Sequence, residues 1–281
     1  MSFEGLAPVT EASGAAWILP RLRGFGGRVN QVVPDGFEAY ARLLHPAADE
    51  EGAPVTWAEV CRRQGRTAHA LMQWQSIAGV TDHVERVGRW PRRSWVSERT
   101  SEWPGHEPEE GRAPADLLRA ALQVLSQFTA DTDHCFHAVW EGWGWLQGGV
   151  QLRRFTFDQR GASPAVPVPD ALPAGLLEGA RLQHPGRDYL LFEGPLLAAL
   201  RIGPQTTADR FSLQSPNLLW PADQSWCLAT EVDFDSTLIA GPRELIDTLL
   251  RMPDLEARAV EATDDLTVNG DLINRRNAGS D

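Results

Sequence analysis

Three carboxylates, Glu231, Asp233 and Asp235, fall at every second position of one apolar segment. If residues 224–235 run as a single strand, alternation puts them on one face with Cys227 and Ala229. Trp226, Leu228, Thr230, Val232 and Phe234 then take the other face. Carboxylates projecting together could share a divalent cation through oxygen ligands. Their mutual repulsion would also raise one pKa, as a general acid requires. That reading is a metal-dependent hydrolase, with Glu231, Asp233 and Asp235 as catalytic candidates and Asp233, Asp235, His134 and His137 as metal candidates. The plain alternative is a solvent face, where the acids stand idle in water while the indoles opposite hold the sheet to its helices.

His134 and His137 belong to a stretch, residues 131–137, that also holds Asp131, Asp133 and Cys135. A helix would place the two histidines on one face, but the segment leads into a strand, where residues three apart point to opposite sides. Cys135 and His137 would share a strand face, so a Cys–His nucleophile pair is conceivable, although no orienting acid is fixed. The block at 140–149, WEGWGWLQGG, carries a fragment of a dinucleotide fingerprint, but position 147 is Gln and a strand follows, which argues against nucleotide binding. Trp140, Trp143 and Trp145, with Trp220 and Trp226 further on, are instead candidates for holding a planar ligand or a partner; sheet core or cover is the plain alternative. Arg86, Arg89, Arg92, Arg93 and Arg99 are interleaved with Trp90 and Trp95, a mixture that single-stranded nucleic acid binding uses. Arginine stacked on tryptophan within the fold, or paired with the acidic loop at 101–111, explains the same residues.

The elements that must position these groups follow from periodicity. Residues 36–45 read as a strand, with Phe37, Ala39, Ala41 and Leu43 on one face. Thr56 with Glu59 is a capping-box start for a helix to about Arg66, and a second helix is expected near 69–77. Pro114 opens the best helix, on which Leu117, Leu118, Ala121, Leu122, Leu125 and Phe128 recur at helical spacing. The period then changes to two: residues 134–145 and 150–157 look like strands paired through Gly148-Gly149. Residues 160–187, rich in Pro, Gly and Ala, read as an irregular connection. A strand at 188–192 follows, and 196–202 is ambiguous between strand and helix. Pro242 suits the first position of a helix carrying Leu245, Ile246, Leu249 and Leu250, which Pro253 stops. Strands and helices come in groups, so the expected fold is α+β, a mostly antiparallel sheet packed with helices. One large domain is expected over 1–262, with a polar, frayed tail over 263–281 in which Leu266, Val268, Leu272 and Ile273 could dock.

Composition closes off some chemistry. The 281 residues hold 26 basic side chains, and every one is arginine. Without lysine there is no Schiff base, no pyridoxal phosphate anchor, no Walker A loop and no Ser-Lys dyad. The simplest origin of that bias is a GC-rich genome. No GxSxG, HExxH, EF-hand or zinc-finger spacing occurs. A net charge of −12 favours solubility and argues against general polyanion binding, which disfavours nucleic acid as a partner. Three widely spaced cysteines without a CxxC pair, no basic n-region and no long apolar run point to a cytoplasmic protein with reduced thiols and no membrane span.

Trp140 to Gly144, Tyr189 to Pro195, the run Trp220-Pro221-Ala222-Asp223-Gln224-Ser225-Trp226 leading to Asp235, and the GFEAYARLLHP stretch near the start carry a resemblance. They resemble the blocks shared by a family of proteins from GC-rich actinobacteria, over roughly residues 34–260. That family brings no assigned activity, substrate or cofactor, so it implies no role for any residue. A looser likeness to the α+β immunity proteins found beside bacterial toxins concerns fold class alone. The expectation is a non-enzymatic protein that binds a ligand or another protein, with no cofactor implied; the hydrolase and the nucleic-acid reading of residues 86–99 are its rivals.

Overall fold

The computed structural model describes residues 3–87, 94–146, 175–207 and 210–275. In chain order they form β1 (Ala7–Pro8), α1 (Val29–Val32), β2 (Ala39–Leu44), β3 (Ala47–Ala48), β4 (Pro54–Val55), α2 (Trp57–Gln64), α3 (Trp74–Ile77), β5 (Thr81–Val87) and β6 (Ser94–Thr100). There follow α4 (Ala115–Leu125), β7 (Cys135–Trp140), β8 (Arg181–His184), β9 (Arg187–Gly194), β10 (Gln205–Thr207), β11 (Arg210–Phe211), β12 (Leu218–Pro221), β13 (Cys227–Ala229), β14 (Ser236–Gly241), α5 (Arg243–Arg251) and β15 (Ala257–Val260). Nine strands make one antiparallel sheet in the order β1-β9-β7-β12-β13-β14-β2-β15, and β8 adds to the edge of β9 that β1 also uses. The fold is α+β.

Alternation explains why the sheet is covered on both sides. From β2, Ala41 and Leu43 join Leu219, Leu228 and Ile239 beneath α4 and α5, whose apolar stripes supply Leu118, Leu122, Leu245 and Leu249. Tyr40, Leu218, Trp220, Ala229 and Leu238 face the opposite layer, where Ala15, Ile18, Val29 and Val33 of the N-terminal segment cover them. A third cluster, around Trp57, Val60, Trp74 and Ile77 of α2 and α3, closes over Leu44 at the end of β2. Helix α2 is capped by Thr56, whose Oγ1 accepts from Glu59 N at 3.2 Å, but the reciprocal half of the expected capping box is not formed, because the Glu59 carboxylate accepts from Arg62 and Arg63; the helix ends at Gly65 in a left-handed conformation at φ 65°.

Several expectations need correction. Of the 69–77 helix, only Trp74–Ile77 is α-helical. Phe37 packs with the Tyr40 layer, not with Ala41 and Leu43. Residues 196–201 form a 3-10 helix, and Pro242 caps α5 from outside instead of opening its first turn. The long strand at 134–145 stops at Trp140, and its expected partner at 150–157 lies outside the described residues, as do Gly148 and Gly149. The connection expected to be irregular up to 187 contains β8, because Pro185-Gly186 is a hairpin turn into β9. Most important, 224–235 is not one strand. Only Cys227–Ala229 pair in the sheet, and residues 230–235 are the loop of the β13–β14 hairpin. The C-terminal segment, expected to fray, is docked as far as Arg275. Asp271 has a fully buried side chain that accepts from Gln73 N, Asn274 N and His69 Nε2. Leu266 is buried, whereas Val268, Leu272 and Ile273 are exposed.

At the centre sits Arg42, 1% exposed. Its Nε donates to Ser236 Oγ at 2.9 Å, Nη1 to the carbonyls of Met72 (2.8 Å) and Ala70 (3.3 Å), and Nη2 to Asp235 Oδ1 at 3.4 Å, while Cζ lies 5.4 Å from the Trp57 ring. Burial lowers the Arg42 pKa and raises that of Asp235, each partly offset by the other's charge. The pair is a positional device; its Coulomb attraction does not outweigh desolvation.

Two buried histidines set an acid limit on the fold. His45 is held by the Glu109 carbonyl and Thr237 Oγ1, and His137 is fully sealed; burial pushes both pKa values down to about 4. The unfolded chain takes up these protons near pH 6.5 and the folded chain does not, so stability is complete above that pH and declines as pH falls toward 4. At pH 5 the loss amounts to about 2 kcal/mol per histidine. Urea unfolding at pH 7.5 and pH 5 measures it, and His137→Leu is expected to reduce the difference by about 2 kcal/mol.

Candidate ligand cleft

Where β7, β8 and β9 end together, the turn chemistry brings charged and aromatic groups to one place. Trp140 is the last residue of β7, opposite Tyr189 of β9; Glu141 N continues the pairing by donating to Asp188 O. His184 ends β8, Gly186 takes the left-handed φ of 98° that the tight turn needs, and Arg187 begins β9. Trp140, Glu141, Gly142, His184, Gly186, Arg187 and Asp188 line a cleft of about 380 Å³.

Arg187 is its pivot. The side chain is 11% exposed, and Nη2 donates to Asp233 Oδ2 at 2.5 Å and lies 2.7 Å from Glu231 Oε1. The Glu231 contact is off the hydrogen-bond axis and acts as an ion pair. Cζ stands 5.0 Å from the Trp140 ring centroid and 5.5 Å from that of Phe25, so the guanidinium is held between two aromatics and two carboxylates. Burial raises the Glu231 pKa, against the opposing charge of Arg187. Arg181 Nε bonds Glu141 Oε2 at 2.9 Å on the far side.

Asn217, 3% exposed, braces the aromatic wall. Its Oδ1 accepts from Trp140 N (2.8 Å) and Trp143 Nε1 (3.2 Å), and its Nδ2 donates to Thr230 O in the β13–β14 loop. Gly142 is needed for close approach, because a Cβ there would stand 2.2 Å from the Trp140 ring.

The acidic residues therefore do not form the face expected of them. Glu231 and Asp233 go to Arg187, whereas Asp235 turns inward to Arg42; side-chain exposures of 12% and 18% show that neither Glu231 nor Asp235 stands free in water. His134 is exposed and bonded to Asp131 at 2.5 Å, a contact that raises its pKa, while His137 is enclosed with no hydrogen-bond partner of good geometry. No group of three or more metal-ligating side chains occurs among the described residues. Cys135 is buried and its thiol pushed up to about 12, which makes it a poor nucleophile. Of the candidate tryptophans, Trp140 lines the cleft, Trp143 backs it, and Trp145 packs on Phe3. Trp220 and Trp226 are 0% exposed core, Trp220 stacked on Phe136.

Residues 81–87 and 94–100 form a two-stranded ribbon, β5 with β6, paired with no other strand among those described; Arg99 pairs with Glu107. Arg89, Trp90, Arg92 and Arg93 lie outside the described residues, as do the side chains of Arg86 and Trp95. A larger groove of about 660 Å³ runs along the start of α4, but Glu256 within it is committed to capping α2 through the N–H groups of Trp57 and Ala58. No helix of the described residues is long and apolar enough to cross a membrane.

No protein-family model, curated protein or solved structure matches the chain. The site rests on its own geometry.

Sequence reasoning missed His184, Arg187 and Asn217. Pro185-Gly186 was the available signal for the first two, since that dipeptide followed by an alternating run marks a hairpin. Nothing local marks Asn217, which matters through three partners distant in sequence.

Asn217→Ala strands Trp140 N, Trp143 Nε1 and the Thr230 carbonyl. The expected cost is about 3 kcal/mol in urea unfolding, more than loss of one surface hydrogen bond gives.

Proposed function

We propose that this is a binding protein without chemistry of its own, which recognises a ligand or the side chain of a partner in the cleft of Trp140, His184, Arg187 and Asp188. The clamped guanidinium of Arg187 carries the reading. A preformed wall of ring, cation and carboxylate has little entropy left to lose on binding, which is what a recognition site needs. The carboxylates that a hydrolase would use are engaged by arginine, and the buried thiols are held protonated. The net charge of −12 would steer basic partners toward it, as an immunity-like protein does. Three unpaired buried cysteines suit a reducing cytoplasm.

Thermal-shift measurement against a panel of amines, glycosides, nucleotides and carboxylic acids is the direct test. At least one compound is expected to stabilise the native chain and to lose its effect in Trp140→Ala. Turnover of a phosphoester or ester panel with added Mg²⁺ or Mn²⁺, abolished by Glu231→Gln in a folded variant, would establish an enzyme instead.

A further inference from the structure

Phe25 packs against the Arg187 guanidinium, 5.5 Å from Cζ to the ring centroid, yet it is 49% exposed. Its ring meets His184 edge to face at a centroid separation of 5.6 Å and lies over Gly186, where a Cβ would stand 3.3 Å away. Three of the seven residues lining the cleft therefore touch one exposed ring. The backbone that carries the ring has little to hold it. Gly24, at φ 100°, precedes Phe25, and Gly26 and Gly27 follow. The loop is tied at its ends, by Arg23 N donating to Asn30 O and by Leu266 N donating to Gly27 O, each at 2.8 Å. Between those ties Gly24, Phe25 and Gly26 make no hydrogen bond with any described residue. Gly27 is the fixed post, because a Cβ there would collide with Thr267 Cγ2.

The groups beside the ring oppose its closure. Arg187 Nε and His184 Nδ1 are both sealed from water, and neither meets a hydrogen-bond partner of good geometry. Polar atoms left dry and unpaired raise the free energy of the closed arrangement, and water satisfies them once a cover lifts. Partial burial of the ring and its contact with the guanidinium favour closure. Two opposed effects in one short loop are the condition for a two-state element.

We infer, resting on the binding role proposed above, that residues 24–27 are a hinged flap whose Phe25 ring covers Arg187 and His184 and lifts away to admit a ligand to the cleft. The swing pivots on Gly24 and Gly26 and breaks no hydrogen bond among the described residues. It uncovers Arg187 Nε–H, while Glu231 and Asp233 keep Nη2 in place. Trp140 does not follow, because Asn217 Oδ1 holds its backbone. A ligand seated on Trp140 gains a second aromatic wall when the flap returns.

Nitrogen-15 relaxation and side-chain hydrogen exchange on the full chain, with no ligand added, test this. The amides of Gly24, Phe25 and Gly26 are expected to show order parameters below about 0.6 or relaxation dispersion, against about 0.85 at Asn30 and Leu190. Arg187 Nε–H is expected to exchange at least about tenfold faster than Arg42 Nε–H, which is released only when the α2–α3 layer opens. Phe25→Ala is expected to speed Arg187 at least about threefold more than it speeds Arg42, a comparison that separates an uncovered side chain from a general loss of stability. A loop as rigid as the strands by both relaxation measures refutes the flap. So does equal exchange at Arg187 and Arg42, because the ring then leaves only when the molecule opens as a whole. If Phe25→Ala changes both arginines alike, another group is the cover and the inference fails. A rigid loop leaves the binding reading standing, whereas a compound panel without a hit counts against that reading alone.

Discussion

A guanidinium group buried in the middle of a sheet has to be satisfied or it unfolds what surrounds it, and Arg42 imposes that condition here. Its partners come from four places: Ser236 on the neighbouring strand, the carbonyls of Ala70 and Met72 ahead of α3, Asp235 in the β13–β14 loop, and the face of Trp57 on α2. The group cannot return to water while the α2–α3 layer is in place. Each of those segments is therefore fixed relative to β2 by the cost of leaving a buried cation unpaired.

The β13–β14 loop transmits that constraint to the cleft. Its three carboxylates are divided, with Asp235 inward on Arg42 and with Glu231 and Asp233 outward on Arg187. Asn217 ties the start of the same loop, at Thr230, to the backbone of Trp140. His45 and Thr237 hold it from beneath, with Thr237 Oγ1 in contact with both His45 Nε2 and Thr230 Oγ1. A loop pinned at so many points is a rigid support. The cleft wall it supports is set by polar contacts, whereas the body of the molecule is set by apolar burial.

The C-terminal segment plays a comparable part on the other side of the α2–α3 layer. Burial acts to raise the Asp271 pKa, but the N–H groups of Asn274 and Gln73 outweigh it and hold the carboxyl below its usual range. Asn274 meanwhile exchanges hydrogen bonds with both backbone groups of Thr67. A stretch whose composition is that of a loose tail is thus anchored by one aspartate and one asparagine, a form of docking that hydropathy cannot reveal.

What the amino-acid sequence determined by itself was the part of the fold that repeats at short range. The α+β class, the strand at 39–44, the capped start of α2, the amphipathic α4 and α5, and the free thiols all follow from periodicity, caps and spacing, because each depends on neighbours within a few residues. The site did not follow. Residues 227–235 alternate as well as any strand, yet the sheet ends at Ala229, because the β14 register that pairs Ser236 with Leu44 closes the hairpin there. Which carboxylate meets which arginine depends on chain segments 40 to 193 residues apart meeting across the sheet. Local pattern encodes burial and period; only tertiary packing decides how charges are paired.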